Sequence, residues 1–207
     1  MTPAIKNLTI VKGKTFAPVL RWAQPTYSYA AISAITRAAP TRITAASHGV
    51  PDGWLVAVVS VPSTGMRQIN AKYDPPRGAD FHKATRIDAN TVDLNDVNSA
   101  LYSAYTSGGY LQWYTPYTLT GYTARMYVRT SEEATGDALI ELTTENGGIT
   151  LNNTTKTITL LVTAAATAAL DFLSGVYDLE MIASTGEVSG ILKGSITVEG
   201  EVTRADT

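Results

Sequence analysis

The stretch "GVYDLEMIASTGEVSGILKGSITVEGEVTR", residues Gly175 to Arg204, decides the fold class. Apolar and polar residues alternate through it: Tyr177, Leu179 and Met181 fall on one face of a strand, Asp178 and Glu180 on the other. Gly186 interrupts the alternation where a hairpin turns. In the run that follows, Ile196, Val198 and Val202 share a face, opposite Thr197, Glu199, Glu201 and Thr203. Two strands are expected, about Tyr177–Ala183 and Glu187–Val202, with the apolar set sealing a core and the pair forming the edge of an assembly module. The register is tightly specified, because a one-residue slip would turn the apolar face to water.

The same period runs upstream. "YTARMYVR" (Tyr122–Arg129), "ALIELTTE" (Ala138–Glu145) and "KTITLLV" (Lys156–Val162) alternate likewise, separated by "TGD" and "NGG" turns. "TAAATAALDFL" (Thr163–Leu173) is the one helix expected, with Thr163 as N-cap and Gly175 as its stop. "LTIV" (Leu8–Val11), a turn at "KGK" and "TFAPVLRW" (Thr15–Trp22) read as an opening hairpin. "WLVAVVSV" (Trp54–Val61) has the length of a strand buried on both faces. "AAISAITRAAPTRITAASHG" has alanines enough for a helix, but Pro40 and its β-branched residues favour short extended pieces. "KYDPPRGADF" (Lys72–Phe81) is a loop, and "KATRIDANTVDLND" gives two short strands around a turn at Asn90. Turn signals at roughly 8–12-residue spacing with one short helix indicate an all-β protein built as a sandwich or barrel. Residues 38–113 are richer in loops, Gly and Pro than their flanks, which points to two domains.

The totals exclude several classes. The 207 residues carry 16 Lys+Arg against 18 Asp+Glu, a formal charge of -2, so no basic field is present to attract nucleic acid. Only 16% of residues are charged, below the roughly 25% of typical soluble domains, and a weakly charged surface is poorly defended against association. With no cysteine there is no disulfide, thiolate nucleophile or zinc-thiolate site. The N-terminal "MTPAIKNLTIVKGKTF" does not read as a signal peptide, and no run is long and apolar enough for membrane insertion.

Candidate chemistry is sparse. "GKT" at Gly13–Thr15 resembles the end of a phosphate loop, but Leu8 stands where that loop needs its first glycine, so a turn is expected. His48 and His82 lie 34 positions apart without a ligand-pair partner; His48, before Gly49, is expected in a turn with its ring bonded to nearby backbone. Asp88, Asn90, Asp93, Asn95, Asp96 and Asn98 are hard oxygen donors, but the central glycine and closing glutamate of a calcium loop are missing. Turn formation is the better reading. Asp178 and Glu180 share a strand face, as a glycosidase pair could, and Glu132 and Glu133 adjoin; solvated faces are the expected fate of both pairs. No enzyme, cofactor or metal is expected. Aromatics cluster at Tyr102, Tyr105, Tyr110, Trp113, Tyr114, Tyr117 and Tyr122, some for the core and some for a subunit contact or a sugar-stacking surface.

Two stretches resemble tailed-phage structural proteins. From Gly121 to Arg204 the chain carries "GYTARMYVR", "IELTTENGGITL", "TITLLVTAAATAAL" and "VYDLEMIASTGEVSGILKGSITVEGEVTR". This resembles the Ig-like β-sandwich module of phage baseplate upper proteins, written as an Arg-bearing strand, a "T-x-x-x-T" helical turn, then "YD-x-E", "G-x-V", "L-x-G" and a closing "EVTR"-like strand. "LTIVKGKTF" resembles the first hairpin of that module. The middle carries "ITAASHG" (Ile43–Gly49), "IN" (Ile69–Asn70), "IDANT" (Ile87–Thr91) and "YSAYTSGG" (Tyr102–Gly109). It resembles a small β-barrel of phage tail proteins that is labelled after the catalytic half-domain of ubiquitin-activating enzymes, a chemistry this cysteine-free chain does not share.

The resemblance implies a discontinuous sandwich of residues 1–37 and 114–207 with an inserted barrel at 38–113. It further implies a structural virion protein of the tail or baseplate (tail tip), linking the tail to fibres or receptor-binding proteins. The implied partners are other phage virion proteins in a symmetric homo-oligomer, assembled in the host bacterial cytoplasm. A head-decoration or neck protein and a carbohydrate-binding receptor module for a host surface glycan are the alternatives. Interface candidates are Tyr102, Tyr105, Tyr110, Trp113, Tyr114, Tyr117, Arg77 in the long "KYDPPRGADFHKA" loop, and Glu199 and Glu201 on the outward face of the last strand.

Overall fold

The computed structural model of the chain describes residues 2–202. It is all-β apart from one short helix and two 3-10 turns. In chain order the strands are β1 (Ala4–Ile5), β2 (Leu8–Val11), β3 (Val19–Leu20), β4 (Ala23–Ala31), β5 (Ala34–Ile35), β6 (Thr41–Thr44), β7 (Leu55–Val59) and β8 (His82–Arg86). They continue as β9 (Thr91–Leu94), β10 (Tyr110–Pro116), β11 (Tyr122–Arg129), β12 (Ile140–Thr143), β13 (Ile149–Asn152), β14 (Thr157–Leu160), β15 (Ser174–Ala183) and β16 (Val188–Glu199), with helix α1 (Ala164–Ala168) before β15. The chain divides into two compact units, Met1–Trp22 with Thr118–Thr207, and Ala23–Tyr117.

The discontinuous unit is organised by β16. Its antiparallel ladder with β15 runs from Ser174↔Thr197 to Ile182↔Val188, and β11 and β12 extend the sheet beyond β15. On its other side β16 is paired in parallel by β1 (Ala4↔Leu192) and β2 (Leu8↔Ile196). The closing strand is therefore interior, not the edge expected from the sequence; the N-terminal residues occupy that edge. Tyr177, Leu179, Met181, Ile196 and Val198 are buried, as their alternation requires, and Gly186 turns the hairpin at φ +86°. Val202 departs from the pattern at 99% exposed. Strand β16 ends at Glu199, opposite Val11 at the end of β2, so no neighbouring strand remains to cover it. Thr203 and Arg204 lie outside the described residues.

The opening hairpin is also replaced. β2 joins the six-stranded sheet, whereas β3 joins a three-stranded sheet in the order β13-β14-β3. Phe16 forms an antiparallel bridge with Val162 on the same side. The "KGK" turn thus carries the chain from one sheet to the other. Gly13 sits there at φ +76°, and the Glu201 carboxylate occupies the space a Cβ would need. The "NGG" turn joins β12 to β13, a strand not evident from the sequence, whose residues Ile149–Asn152 pair with β14. The helix is shorter than its alanines imply. Thr163 caps it by accepting from the Ala166 amide, and Thr167 anchors it by donating to the Lys14 carbonyl. It stops at Ala168, leaving the chain room to reverse before β15 starts at Ser174.

In the inserted unit seven strands run in the order β4-β10-β7-β8-β9-β6-β5. The two ends of that sheet are successive parts of one stretch of chain. β4 pairs with β10 up to Ala31↔Tyr110, Ile32 donates its amide to Gly109, and from Ser33 the bonds go to β6 instead. The sheet thereby returns on itself as a small barrel, filled by Ile43, Val56, Val58, Met66, Val92, Leu94, Leu111 and Trp113. Because β4 belongs wholly to this barrel, the seams fall at 22/23 and 117/118, not at the 37/38 and 113/114 expected from the sequence.

Ile196 is fully buried and Val202 fully out, although simple alternation puts them on one face. Ile196→Ala is expected to cost about 2–5 kcal/mol in urea unfolding, and Val202→Ala to stay within about 0.5 kcal/mol of the parent.

Candidate functional site

The aromatic cluster divides by strand alternation. On β10, Leu111 and Trp113 point inward, while Tyr110, Gln112 and Tyr114 point outward. Trp113 is 4% exposed and belongs to the core, and Tyr102 and Tyr105 pack against that core. The Tyr105 hydroxyl donates to the carbonyls of Ile32 (2.8 Å) and Gly108 (3.0 Å), tying the "SGG" turn to the point where the barrel closes. Tyr117 is half-buried. Tyr122 lies in the other unit, edge-on to Trp22 with ring centroids 5.6 Å apart.

The outward tyrosines have partners outside the cluster expected from the sequence, Tyr27 and Tyr29 on β4 and Phe81 just before β8. The register places Tyr27 opposite Tyr114 and Tyr29 opposite Gln112. Tyr27 donates its hydroxyl to that of Tyr114 at 3.0 Å, with the rings 4.6 Å apart. The hydrogen bond to Tyr114, then desolvation, pushes the Tyr27 phenol up to about 12. Phe81 stacks on Tyr114 at 5.6 Å, and Tyr29 meets Tyr110 edge-on at 6.5 Å. The signal for this partner row is present in "YSY" at Tyr27–Tyr29, two tyrosines at strand spacing.

Beside this row the "KYDPPRGADF" loop borders a cavity of about 510 Å³, lined by Tyr29, Tyr73, Tyr110, Lys72, Asp74 and Gln112. The loop is held by one carboxylate. Asp80, 8% exposed, accepts from the amides of Lys72 (2.8 Å), Tyr73 (3.3 Å) and Arg77 (3.1 Å). These backbone donors, Arg77 foremost, hold its carboxyl below the usual aspartate value. Arg77 lays its guanidinium over the Tyr73 ring at 3.8 Å from the centroid.

The remaining candidates serve structure. His48, 3% exposed, accepts the Val50 amide at Nδ1 (2.9 Å) and lies 3.1 Å from the Asp88 carbonyl at Nε2, in the turn expected for it. A ring that accepts at Nδ1 is neutral, and burial lowers its proton affinity. The six oxygen donors of "DANTVDLNDVN" are spent locally. Asp88 and Asn98 cap turns, Asn90 accepts the Ser47 amide, Asp93 pairs with Arg42 at 2.7 Å, Asn95 accepts from Thr85, and Asp96 meets His82 at 3.0 Å. Among the described residues no three His, Cys, Asp or Glu converge as metal ligands, and no helix is long and apolar enough to cross a membrane.

In the discontinuous unit, Asp178 and Glu180 do stand on one strand face. They border a second hollow with Arg125, Tyr127, Glu132 and Lys193. Glu180 is held by Arg125 at 2.7 Å. Asp178 has its carboxyl raised, first by desolvation and then by the Glu180 charge. Of the acidic interface candidates, Glu199 is exposed, and Glu201 is half-buried with its carboxylate against Gly13.

Two expectations follow from these placements. Trp113→Ala should cost about 3–5 kcal/mol of stability as a core deletion, whereas Tyr110→Ala should leave the stability from urea unfolding within about 0.5 kcal/mol of the parent. Asp80→Ala should lower the melting temperature above pH 3.8, the ordinary aspartate value. The sign follows from the depressed pKa of the folded state: the carboxylate stabilises the fold above that pH, and the advantage disappears as acid protonates it. A melting series from pH 7 down to about 2.5 checks both the loss and its disappearance.

No protein-family model and no curated protein matches the chain.

Proposed function

We propose that the protein is an architectural component of a tailed-phage virion, at the tail or baseplate, linking the tail to fibres or receptor-binding proteins. One observation carries this reading: the two sets of motif words fall on two separate β units, each set in order. The Arg-bearing strand is β11, the "T-x-x-x-T" turn is the Thr163-capped α1, and "YD-x-E", "G-x-V" and "L-x-G" lie along β15, its turn and β16. The other words, from Ile43 to Gly109, all lie within Ala23–Tyr117. On this reading the discontinuous unit is the Ig-like module and the barrel is its insertion.

The surface fits a protein that works by being held in place. Ile5, Leu101 and Leu173 are 78%, 95% and 77% exposed on a chain with few charges. On this reading they are the apolar contacts that neighbouring subunits would cover.

Mass spectrometry of purified particles, made from the genome that encodes the chain, should find it in many copies per virion. Its absence from particles would overturn the proposal. Antibody labelling in electron micrographs should mark the tail tip; label on the capsid or neck would retain the virion role and move its position.

A further inference from the structure

The cavity of the inserted unit has a feature that packing does not explain. Gln112 points outward from β10, on the same side as Tyr110 and Tyr114, yet it is only 4% exposed. It is covered because Tyr29 stands opposite it, Tyr110 stands beside it, and the 70–74 loop crosses nearby. Its side-chain amide makes no hydrogen bond among the described residues, whereas the neighbouring amide of Asn70 is engaged at both ends, accepting from the Val61 amide (2.9 Å) and donating to the Val61 carbonyl (2.8 Å). The amide tip is not sealed from solvent but opens into the cavity, where an entering ligand can bond it.

We propose that this cavity is a binding site for an uncharged saccharide, gripped by Gln112 from below and by Tyr29, Tyr110 and Tyr73 from the sides. A carboxamide offers one acceptor and two donors, which match adjacent sugar hydroxyls that each donate and accept. Tyrosine rings supply flat apolar surface for the C–H faces of a pyranose, with a hydroxyl at the ring edge for its polar rim. Tyr29 and Tyr110 are 56% and 46% exposed, open to a ligand while the amide lies beneath them. The volume falls within the roughly 300–1,000 Å³ range of small-ligand sites.

Charge and edge geometry narrow the occupant. Lys72 and Asp74 border the cavity with opposite signs, so no net field selects an anion or a cation. A strand-forming peptide has no edge to join, because β10 is already paired by β4 on one side and β7 on the other. The wall is set before any ligand arrives: Asp80 fixes the amides of Lys72 and Tyr73, and Arg77 covers one face of Tyr73. A preorganised wall reduces the ordering cost of binding. The site stands independently of the architectural role, since a virion protein needs no sugar site to be counted in particles.

The test uses the full chain on an array of neutral and charged oligosaccharides, followed by calorimetric titration with the best neutral binder. A neutral glycan should be retained. Tyr29→Ala and Tyr110→Ala should each weaken it by about tenfold or more, as anchor deletions do, while Tyr29→Phe keeps the stacking surface and most of the affinity. Gln112→Leu, similar in size, should weaken binding comparably while melting at or above the parent temperature, because it removes an amide the fold itself leaves unbonded. Retention of charged glycans alone, or of none, overturns the proposal. So does binding that survives Tyr29→Ala and Gln112→Leu. Should Gln112→Leu not fold, the substitutions at the two exposed tyrosines decide the question without it.

Discussion

The inserted barrel depends on one stretch of backbone serving two partners. Residues 23–36 donate and accept along β10 until Ala31, bend through Ile32 and Ser33, and continue along β6. Closing a sheet in this way removes exposed edges and encloses the apolar rows of all its strands. It also fixes what lies outside. Once Ala30 is committed inward, Tyr27 and Tyr29 must face out beside Tyr110 and Tyr114. The outward aromatic surface is thus a by-product of register and needs no separate device to hold it. The bend itself is secured by the Tyr105 hydroxyl, which bridges the Ile32 and Gly108 carbonyls at the closure.

The discontinuous unit solves a different problem with β16. A long strand with alternating pattern invites pairing on both sides, and here both sides are filled from within the chain. The antiparallel side is filled by its hairpin partner β15. The parallel side is filled by β1 and β2, which lie end to end along it, joined by the Lys6 amide donating to the Lys193 carbonyl. Gly194 admits this approach: a Cβ there would collide with the Lys6 carbonyl. The Tyr177 hydroxyl donates to that same carbonyl at 2.7 Å, so a core residue of β15 also secures the N-terminal strands.

The legible part of the sequence is the part governed by near neighbours. The hairpin β15–β16 can be read from alternation and one glycine, and β8–β9 from the Asn90 turn. The N-cap Thr163 and the backbone-bonded His48 follow from local chemistry alone. What escapes the sequence depends on distant partners. Leu8–Val11 carries the same pattern whether it pairs with Thr15–Trp22 or with β16, and only the tertiary ladder decides. Val202 continues an apolar row, but burial requires a neighbour and β2 has ended. Trp113 and Tyr110 look alike as aromatic residues three apart; an odd offset on a strand sends one to the core and the other to the surface. The buried state of Gln112 is not legible at all, since glutamine on an outward position is ordinarily solvated.

The two ends of the inserted unit lie together. Ala23 and Pro116 are paired directly across β4 and β10, so the barrel's first and last strands leave it side by side. In the receiving unit the adjoining residues are close too, with the Trp22 and Tyr122 rings in contact. Antiparallel neighbours lie only about 5 Å apart, a gap that an ordinary tight turn spans. The barrel is therefore one long connection between β3 and β11, strands of two different sheets, and none of the receiving unit's ladders runs through residues 23–117.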